Sequence, residues 1–487
     1  MPDSLDYTPA WGPQALEAKR AAIRDNQARL ARIREKWVAA NTYFYAHIAK
    51  LIHFLVEPGR SVLHVRCQIG QFIEALQPAR YLGVELSPEM VQIAAGLHPG
   101  KQFVVGDPER VLFEEKFDYV FFEQITDTVD VMAALRNVKK CCLPHTRLII
   151  HAYNPLWEPL FKLADLLHLK MPLYEQNWLS ENDVRNMLAL SGYLCLGSYR
   201  IILVPKKIPF VSEFFNRFLA RIPGINRLCM VNVMTARPAP EPVDPESLSV
   251  SVIIPAKNEE GNIRPAVERI PAMGAHTEII FCDDRSTDAT AAEVRRMQTE
   301  FPDLDIKLVE GPGVCKSKNV WTGFDAASGD VLMILDADLT VMPEELPLFF
   351  AAIASGKGEF INGSRLIYPI PKEAMKLANM LGNKGFSLVF SYLLNQRIKD
   401  TLCGTKVLRR SDWRRIRPML GTWGVEDRWG DYELLFGADK LQLHIVDMPV
   451  HYQERVFGNT KMVKVFRNGL VMLRMCLAAF LKLKFGY

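Results

Sequence analysis

Two aspartates, Asp336 and Asp338, directly follow an apolar run that reads as a buried strand, in "GDVLMILDADLT". Residues two positions apart at the end of a strand project to the same side, so the two carboxylates can face one ligand. Paired carboxylate oxygens suit a hard divalent ion, and such an ion also takes the oxygens of a diphosphate. The pair therefore predicts a metal site that assists a phosphate leaving group.

The same spacing recurs at Asp303 and Asp305, in "PDLDIKL", but in a different context. These two acids precede their predicted strand instead of following it. We interpret them as solvated turn acids, which is the common role of aspartate before a strand. Position relative to the strand distinguishes the two pairs.

Two further polar clusters end apolar runs, "VSVIIPAKNEEGNI" and "TEIIFCDDRSTDAT". The carboxyl ends of adjacent parallel strands point into the crevice where α/β sheets bind their ligands. Both clusters are therefore predicted to line a nucleotide pocket next to the aspartate pair.

The elements that must position these residues are short β-branched runs that alternate with longer helical stretches, on both sides of a proline-rich segment, 236–248. This alternation predicts an α/β fold class with two αβα domains, because parallel sheets are covered by helices. At 487 residues the chain is also too long for one core. We expect five parts: an N-terminal helical segment (1–50), a first domain (51–237), a linker (238–248), a second domain (249–462) and a basic amphipathic helix (463–487).

The second half carries six motifs in order: "PAKNEE", "DDRSTD", "CKSKNVWTGFDAASGD", "DAD", "NGSR" and "DTLCGTKVLRR". With them, residues 249–462 closely resemble a family 2 glycosyltransferase of the GT-A fold. "DTLCGTKV" and the later "MPVHYQERVFGNTK" are most similar to the polyprenyl-phosphate sugar transferases of the dolichyl-phosphate-mannose synthase type.

This resemblance implies roles for the residues that match the family motifs. It implies a Mg²⁺ or Mn²⁺ ion at Asp336 and Asp338, and phosphate contacts by Arg455 and Lys461, for which ordinary surface charge is the alternative. The nucleotide would be held by Pro255, Ala256, Glu259, Asp283, Asp284, Lys316 and Asp336.

The chemistry of this family would be an in-line displacement at the anomeric carbon, which inverts it, with the metal and cations stabilising the departing diphosphate. A phosphate acceptor is already anionic and needs no strong base, whereas a hydroxyl needs a carboxylate to take its proton. The acid of the family maps best to Asp431 with Glu433, in "GVEDRWGDYELLF". A first-turn acid favoured by the helix dipole is the alternative reading.

The first half has the layout of a nucleoside-binding unit, with Glu85 closing the second predicted strand and Asp107 following the third. It resembles a class I S-adenosylmethionine-dependent methyltransferase over about residues 14–237. The two acids would meet the ribose hydroxyls and the adenine amine of the cofactor.

The loop "VLHVRCQIGQF" departs from that family, because its acid-x-Gly-x-Gly-x-Gly falls on His64, Arg66, Gln68 and Gly70. Glycine serves there because a Cβ would meet the ligand and because some positions need a positive φ. We therefore expect a degenerate site (Gly70, Glu85, Asp107) that binds S-adenosylmethionine weakly or not at all. A shifted binding pose, or an anion at Arg66, are the alternatives.

The net charge of +4 is too small to indicate a nucleic-acid partner. Nine scattered cysteines without a Cys-x-x-Cys predict reduced, buried thiols in the cytoplasm. The amino terminus has no secretory pattern, and no apolar run is long enough for a spanning helix, so any membrane contact is expected at the surface.

Two segments combine cations with apolar residues at helical spacing. From Arg455 to Tyr487 there are seven basic residues and no acid, which favours a helix on an anionic membrane, with domain packing as the alternative. In the segment 205–228, "PKKIPFVSEFFNRFLARIPGINRL", we expect the phenylalanines to face the core, with membrane contact as the alternative.

The sequence thus predicts a metal-dependent, inverting glycosyltransferase of the bacterial cell envelope, peripherally bound to the cytoplasmic face of the inner membrane. Its partners would be a nucleotide sugar and a polyprenyl phosphate. The alternative is a bifunctional methyltransferase and glycosyltransferase that modifies a soluble or cell-surface glycan. A first half that only docks a partner is also compatible with the lost glycines.

Overall fold

The computed structural model describes residues 12–167, 171, 176–368, 377–455, 457 and 465–486. The chain divides into two compact units, one extending to Ala239 and the other running from Pro240 to Phe485. Each unit contains its own seven-stranded sheet. The prediction of two α/β domains is confirmed.

The N-terminal unit alternates strands and helices after an opening helical pair. Its elements are α1 (Pro13–Ala40), α2 (Thr42–Leu55), β1 (Ser61–Val65), α3 (Ile73–Leu76), β2 (Arg80–Glu85), α4 (Pro88–Leu97), β3 (Gln102–Val105), β4 (Phe117–Phe122), α5 (Val131–Lys139), β5 (Cys142–Tyr153), α6 (Glu158–Leu166), α7 (Glu181–Leu190), β6 (Tyr193–Ile201), α8 (Val211–Arg217) and β7 (Val231–Pro238).

The sheet of this unit has the order β3-β2-β1-β4-β5-β7-β6. The strands from β3 to β5 are parallel, and β7 is antiparallel to both of its neighbours. The strand order reverses between β1 and β4, so a crevice opens at the carboxyl ends of these two strands. The acid Glu85, at the end of the neighbouring strand β2, lies at this edge of the sheet.

The C-terminal unit has a similar alternation. Its elements are β8 (Ser249–Ala256), α9 (Glu260–Arg269), β9 (His276–Asp283), α10 (Thr290–Glu300), β10 (Asp305–Glu310), α11 (Lys316–Ala326), β11 (Val331–Ile334), α12 (Leu346–Ala354), β12 (Phe360–Ser364), α13 (Leu377–Leu393), β13 (Lys406–Arg409), α14 (Arg410–Ile416), α15 (Tyr432–Lys440), β14 (Ile445–Pro449) and α16 (Val465–Lys484).

The second sheet has the order β10-β9-β8-β11-β13-β12-β14. Strands β10, β9, β8 and β11 are parallel, β13 is antiparallel to both neighbours, and β12 pairs parallel with β14. Here the strand order reverses between β8 and β11. The carboxyl ends of these two strands therefore form the second crevice of the molecule.

Apolar strand residues build the cores. In the C-terminal unit, side chains of β8, β9 and β11 such as Val252, Phe281 and Met333 are fully buried together. In the N-terminal unit, residues on the two faces of the sheet form separate clusters, with Leu63 and Val120 in one and Val62 and Phe121 in the other. Continuous burial of this kind is typical of parallel strands covered by helices on both faces.

Two local expectations differ from the structure. The proline-rich segment does not start as a linker, because β7 continues through Pro238, which lies opposite Tyr193 of β6. Proline is tolerated there because it ends the strand. In the segment 205–228, the expectation that the phenylalanines face the core is wrong, since Phe210, Phe214 and Phe218 are exposed.

Candidate functional site

The carboxylates of Asp336 and Asp338 lie just past β11, at the crevice of the C-terminal unit. The Oδ1 atom of Asp338 accepts hydrogen bonds from the backbone amide and the hydroxyl of Thr340, at 3.2 and 2.8 Å. Leu339 between them has a positive φ of 51°, which bends the chain sharply after the pair. The turn therefore fixes Asp338 through one oxygen and leaves the other for a partner.

Each aspartate is paired with a cation from another part of the unit. The Nζ of Lys316, the first residue of α11, lies 2.6 Å from Oδ1 of Asp336. Arg455 forms an ion pair with Oδ2 of Asp338 and a second one with Glu259, at 3.2 Å. Burial would raise the pKa of Asp336, but the ammonium of Lys316 outweighs it and the pKa is lowered.

Gly404 lies directly against Asp336. A Cβ at this position would overlap both carboxylate oxygens of Asp336, so only glycine allows this close approach. The loop that carries Gly404 is held by Asp400, whose fully buried carboxylate accepts two hydrogen bonds from the Arg365 side chain, at 2.8 and 3.0 Å. Charge-assisted, two-point contacts of this kind fix geometry, so the contact between Arg365 and Asp400 positions the loop against Asp336.

Asp431 also faces this cluster. The Nζ of Lys406 lies 3.2 Å from its Oδ1, and both side chains are almost completely buried. Burial raises the pKa of Asp431, while Lys406 and Lys316 oppose that shift. Asp431 and Asp336 both interact electrostatically with Lys316, so the structure brings these two acids and one base together.

Glu433, which lies two residues further on in α15, has a different partner. Its carboxylate accepts a hydrogen bond from the backbone amide of Gly421 at 2.7 Å, and burial raises its pKa to about 7. This hydrogen bond attaches α15 to the loop at Gly421, and it directs Glu433 away from Asp336 and Asp338.

Asp427 organises the loop that precedes α15. Its buried carboxylate accepts hydrogen bonds from four backbone amides, those of residues 429, 430, 432 and 433, at 2.8 to 3.0 Å. Its backbone carbonyl accepts a hydrogen bond from the hydroxyl of Ser317, which follows Lys316. One residue therefore links the helix that carries Lys316 with the helix that begins after Asp431.

Four of the predicted nucleotide-binding residues lie at the ends of β8 and β9. Pro255 and Ala256 end β8, and Asp283 ends β9, where its carboxylate accepts from the amide of Ser286. Asp284 accepts from the backbone amide of Gly313 at 2.8 Å and from Lys257 at 3.3 Å. These contacts place the residues along one edge of the crevice and hold the loops that follow β9 and β10.

The two aspartates offer the ligand type that a hard divalent ion prefers, because the carboxylates of Asp336 and Asp338 both lie on the loop after β11. One oxygen of each carboxylate, Oδ1 of Asp336 and Oδ2 of Asp338, is paired with a cation, so an ion at these two oxygens would take the place of Lys316 and Arg455. Within the described residues, three or more His, Cys, Asp or Glu side chains do not cluster as a ready metal cage. Lys461 lies outside the described residues.

In the N-terminal unit, the loop after β1 has the backbone conformation of a glycine-rich loop, although two of its positions carry side chains. Arg66, Gln68 and Gly70 all have positive φ, at 60°, 51° and 77°. Such φ values are uncommon for residues with a side chain. A Cβ on Gly70 would meet the His98 ring, so the remaining glycine serves packing within the unit.

The two acids of this crevice are occupied by the chain itself. Glu85 is fully buried, accepts a hydrogen bond from the amide of Gln68 at 3.0 Å, and lies 3.7 Å from the guanidinium of Arg66. Asp107 pairs at 3.0 Å with Arg20, which lies on α1 and also pairs with Glu109. Helix α1 thus lies over the crevice, and its Gln27 amide lies between Glu85 and Arg66.

Another buried acid lies at the end of β4 in the same crevice. The Nε2 atom of His64 lies 3.1 Å from Oε2 of Glu123. Burial raises the pKa of Glu123 to about 8 and lowers the pKa of His64 to about 3. Both groups are therefore neutral near pH 7. The same crevice contains a small cavity of about 20 Å³, lined by residues such as Gln27, Gln68 and Met90. These residues do not fit S-adenosylmethionine.

Sequence reasoning missed the positioning residues of both crevices. Four of these residues lie within the motifs "NGSR" and "DTLCGTKVLRR", namely Arg365, Asp400, Gly404 and Lys406. The two motifs were therefore the sequence signal from which these residues could have been found. Nothing in the sequence indicated that Arg20 would reach Asp107, because the two residues are far apart along the chain.

Comparison with known families agrees with this geometry. A family model described as glycosyl transferase family 2 matches residues 251–416, and one described as methyltransferase domain matches residues 63–150. The C-terminal unit therefore contains a family 2 glycosyltransferase domain, and the N-terminal unit contains a methyltransferase-like domain with a Rossmann-like fold. Both resemblances expected from the motifs are confirmed.

Two relatives are similar to part of this chain. A dolichol-phosphate mannosyltransferase of Pyrococcus furiosus is 34% identical over 167 residues, which cover 34% of this chain and 47% of the relative. An undecaprenyl-phosphate 4-deoxy-4-formamido-L-arabinose transferase of Salmonella paratyphi A is 26% identical over 219 residues, covering 44% and 62%. The chain thus spans between about half and three fifths of the length of these relatives.

Among solved structures, an S-adenosylmethionine-dependent methyltransferase of Thermotoga maritima is similar, with 14% identity and a TM-score of 0.36. The match covers 44% of this chain and 99% of the other. A likeness at this level carries no conclusion about ligand or activity.

Proposed function

We propose that the C-terminal unit transfers a sugar from a nucleotide sugar to a polyprenyl phosphate, with inversion and with a divalent ion. The observation that carries this proposal is the convergence of Asp336, Asp338, Lys316 and Arg455 at the crevice between β8 and β11. The two relatives support the choice of acceptor, because one is a dolichol-phosphate sugar transferase and the other an undecaprenyl-phosphate sugar transferase.

In this proposal the chain's own residues bind and orient the reactants. Lys316 and Arg455 exchange their carboxylate partners for phosphate oxygens of the donor, which are equally good partners for a cation. Asp336 and Asp338 then hold Mg²⁺ or Mn²⁺, which would neutralise charge on the departing diphosphate. Because a single in-line displacement joins acceptor to sugar, the anomeric carbon inverts.

The acceptor decides the role of Asp431. A lipid phosphate attacks as an anion, and Asp431 with Lys406 then serves to orient the donor. If the acceptor were a hydroxyl, Asp431 is the carboxylate placed to take its proton. The contact of Asp431 with Lys406 and the hydrogen bond that the Glu433 carboxylate accepts from the Gly421 amide favour Asp431 over Glu433 for that task.

We further propose that the protein works peripherally at the cytoplasmic face of the inner membrane, in cell-envelope synthesis. None of the described helices is long and apolar enough to cross a bilayer. On α16, Leu470, Leu473 and Leu477 are exposed together with Arg467 and Arg474, a pattern that suits an anionic membrane surface. Val463 and Lys464, which precede α16, lie outside the described residues.

The N-terminal unit is proposed to be catalytically inactive as a methyltransferase, because Glu85 and Asp107 are already occupied by Arg66 and Arg20. The bifunctional alternative requires α1 to leave the crevice. It predicts methyl transfer from S-adenosylmethionine to the glycosylated product.

The test is a screen of nucleotide sugars for release of nucleotide by the full-length protein, with and without a short polyprenyl phosphate. We expect release that needs Mg²⁺ or Mn²⁺ and increases at least tenfold with the lipid phosphate, together with a new glycolipid. Stimulation by a soluble glycan in place of the lipid would contradict the proposed acceptor. Absence of release with every donor and acceptor would contradict the activity.

A further inference from the structure

Helix α8 of the N-terminal unit buries polar residues and exposes aromatic ones. Ser212 and Asn216 are only 1% and 3% exposed, whereas Phe210, just before the helix, is 92% exposed and Phe214 is 53% exposed. A helix on the surface of a soluble protein usually has the opposite arrangement. The exposed rings therefore call for a function other than core packing.

Hydrogen bonds hold the helix in this orientation. The Oδ1 atom of Asn216 accepts from the backbone amides of Leu203 and Val204, at 2.7 and 2.9 Å. The hydroxyl of Ser212 accepts from the amide of Ile208 at 2.8 Å and donates to the carbonyl of Lys206. Rotation of α8 to bury its phenylalanines would break these bonds and leave buried polar groups unsatisfied, which is costly.

The backbone also directs the most exposed ring outward. Phe210 has a φ of 62° and a ψ of −40°, a positive-φ conformation that bulky residues rarely adopt. Its side chain gains no packing in return, because it is almost fully exposed. Strain of this kind persists where surrounding structure enforces it, and it is found at functional sites.

The exposed residues form one surface. The rings of Phe214 and Phe215 have centroids 6.0 Å apart, and Phe214 and Phe218 are 6.1 Å apart. We call this the aromatic surface, and it comprises Ile208, Phe210, Val211, Phe214, Phe215, Phe218, Ile222 and Leu228, all exposed. At Leu228 it adjoins the start of α6, since the Trp157 indole donates to the Leu228 carbonyl at 2.9 Å, and Leu156 and Leu160 are exposed there too.

Cations surround the aromatic surface. Lys206, Lys207, Arg217 and Arg227 are exposed, and between residues 205 and 228 Glu213 is the single acid. Large exposed apolar patches mark interaction sites. Phenylalanines with a basic rim match a bilayer with anionic headgroups, because rings enter the boundary of headgroups and acyl chains while lysine and arginine meet the phosphates.

We propose that the N-terminal unit binds the surface of an anionic lipid bilayer through the aromatic surface. The methyltransferase-like fold would then act as a membrane-docking module, with a role that does not depend on its occupied crevice. Binding to lipid needs no turnover, so this proposal stands or falls independently of the proposed sugar transfer.

The test measures co-sedimentation of the full-length protein with phosphatidylglycerol and phosphatidylcholine vesicles. All variants also carry Leu470→Ser, Leu473→Ser and Leu477→Ser, so that α16 does not mask the effect. Phe210→Ser, Phe214→Ser and Phe215→Ser are added together. The matched control instead adds Leu112→Ser and Leu190→Ser, which replace exposed leucines elsewhere in the same unit, 86% and 69% exposed.

We expect the phenylalanine replacements to weaken binding to phosphatidylglycerol vesicles at least tenfold, and the leucine replacements to leave it unchanged. Lys206→Glu with Lys207→Glu should weaken binding to phosphatidylglycerol selectively. Circular dichroism confirms that each variant is folded.

Three results would overturn the proposal. The first is equal vesicle binding with and without the phenylalanines, and the second is no binding to anionic vesicles at low ionic strength before they are replaced. The third is a change from dimer to monomer on replacing the phenylalanines without any change in vesicle binding, which would make the aromatic surface a contact between two copies of the chain.

Discussion

In both units, acids follow the strands beside the point where the strand order reverses, and in both units these acids are paired with cations. The difference lies in access to solvent. Lys316 and Asp336 keep 33% and 28% of their side-chain surface exposed, whereas Arg66 and Glu85 keep 3% and 0%. A phosphate can compete for the first pair but cannot reach the second.

The origin of the cations differs as well. In the C-terminal crevice, Lys316 begins a helix and Arg455 follows β14 in a loop, so each contributes one side chain at the rim. In the N-terminal crevice, Arg20 belongs to the 28-residue helix α1, which covers the crevice. Paired acids alone therefore do not distinguish an open site from a closed one, but the accessibility of the pair does.

The largest expected effect comes from removing an acid of the open crevice. Asp338→Ala should lower sugar transfer at least a hundredfold, because a diphosphate leaving group without its metal loses several kcal/mol of charge stabilisation. Steady-state nucleotide release with saturating Mg²⁺ measures this loss.

The same replacement in the closed crevice, Asp107→Ala, should change transfer less than twofold, as should the exposed Asp303→Ala. A hundredfold loss in Asp107→Ala would mean that the N-terminal crevice takes part in the reaction. An equal loss in Asp303→Ala and Asp338→Ala would mean that the metal site has been misplaced.

Ligand binding should separate the crevices next. We expect calorimetry to show a nucleoside diphosphate sugar binding in the presence of Mg²⁺ or Mn²⁺, and S-adenosylmethionine giving no heat up to a concentration of ~1 mM, which corresponds to less than about 4 kcal/mol of binding. Arg66 and Gln68 fill the space that glycines would leave, which is the reason for the difference. Saturable binding of S-adenosylmethionine that is lost in Glu85→Gln would contradict the closed crevice.

The smallest effect concerns the pH dependence of stability in the closed crevice. Glu123 has its pKa raised to about 8, so between pH 4.5 and 8 the folded unit holds a proton that the unfolded chain has released. The free energy of unfolding should then fall as pH rises through this range, by at most about 1.4 kcal/mol per pH unit. His64, with its pKa lowered to about 3, acts in the opposite direction and only below pH 6.5.

We therefore expect unfolding of the N-terminal unit, followed by hydrogen exchange of β1 and β4 amides, to become easier between about pH 6.5 and 8. Glu123→Gln should flatten that slope, because the glutamine cannot ionise. The exposed Glu89→Gln is the control and should keep the slope. An unchanged slope in Glu123→Gln would show that this acid is ionised in the folded protein.

The strands and the main motifs could be predicted from the sequence because they are local. The apolar runs at the start of "VSVIIPAKNEEGNI" and "TEIIFCDDRSTDAT" lie in β8 and β9, and Glu85 ends β2 as expected. The loss of glycines at Arg66 and Gln68 predicted a degenerate site, and in the structure Arg66 lies against Glu85. Weak binding of S-adenosylmethionine stays a prediction. The sequence did not show which residues would occupy the crevice. The contact of Arg20 with Asp107 joins residues that are far apart along the chain and meet only when it folds.

The orientation of α8 shows a second limit of the sequence. Phenylalanines at helical spacing indicate a buried face, since burial of apolar area stabilises a fold. The decisive information lies in Ser212 and Asn216, whose hydrogen bonds to neighbouring loops orient the helix. Such bonds depend on where the loops run, so spacing of apolar residues alone gives the wrong face. The division into five parts stays a prediction, as do the roles of the single site residues.

Asp427 has a consequence for anyone who wishes to redesign the donor preference of the C-terminal unit. Its carboxylate accepts hydrogen bonds from backbone amides at the start of α15, and its carbonyl accepts one from Ser317 of α11. Asp427 therefore helps to position both Lys316 and Asp431. Replacing residues that line the crevice alters one contact at a time. Replacing Asp427 would loosen both sides of the crevice together, so libraries that vary the pocket should keep this position fixed.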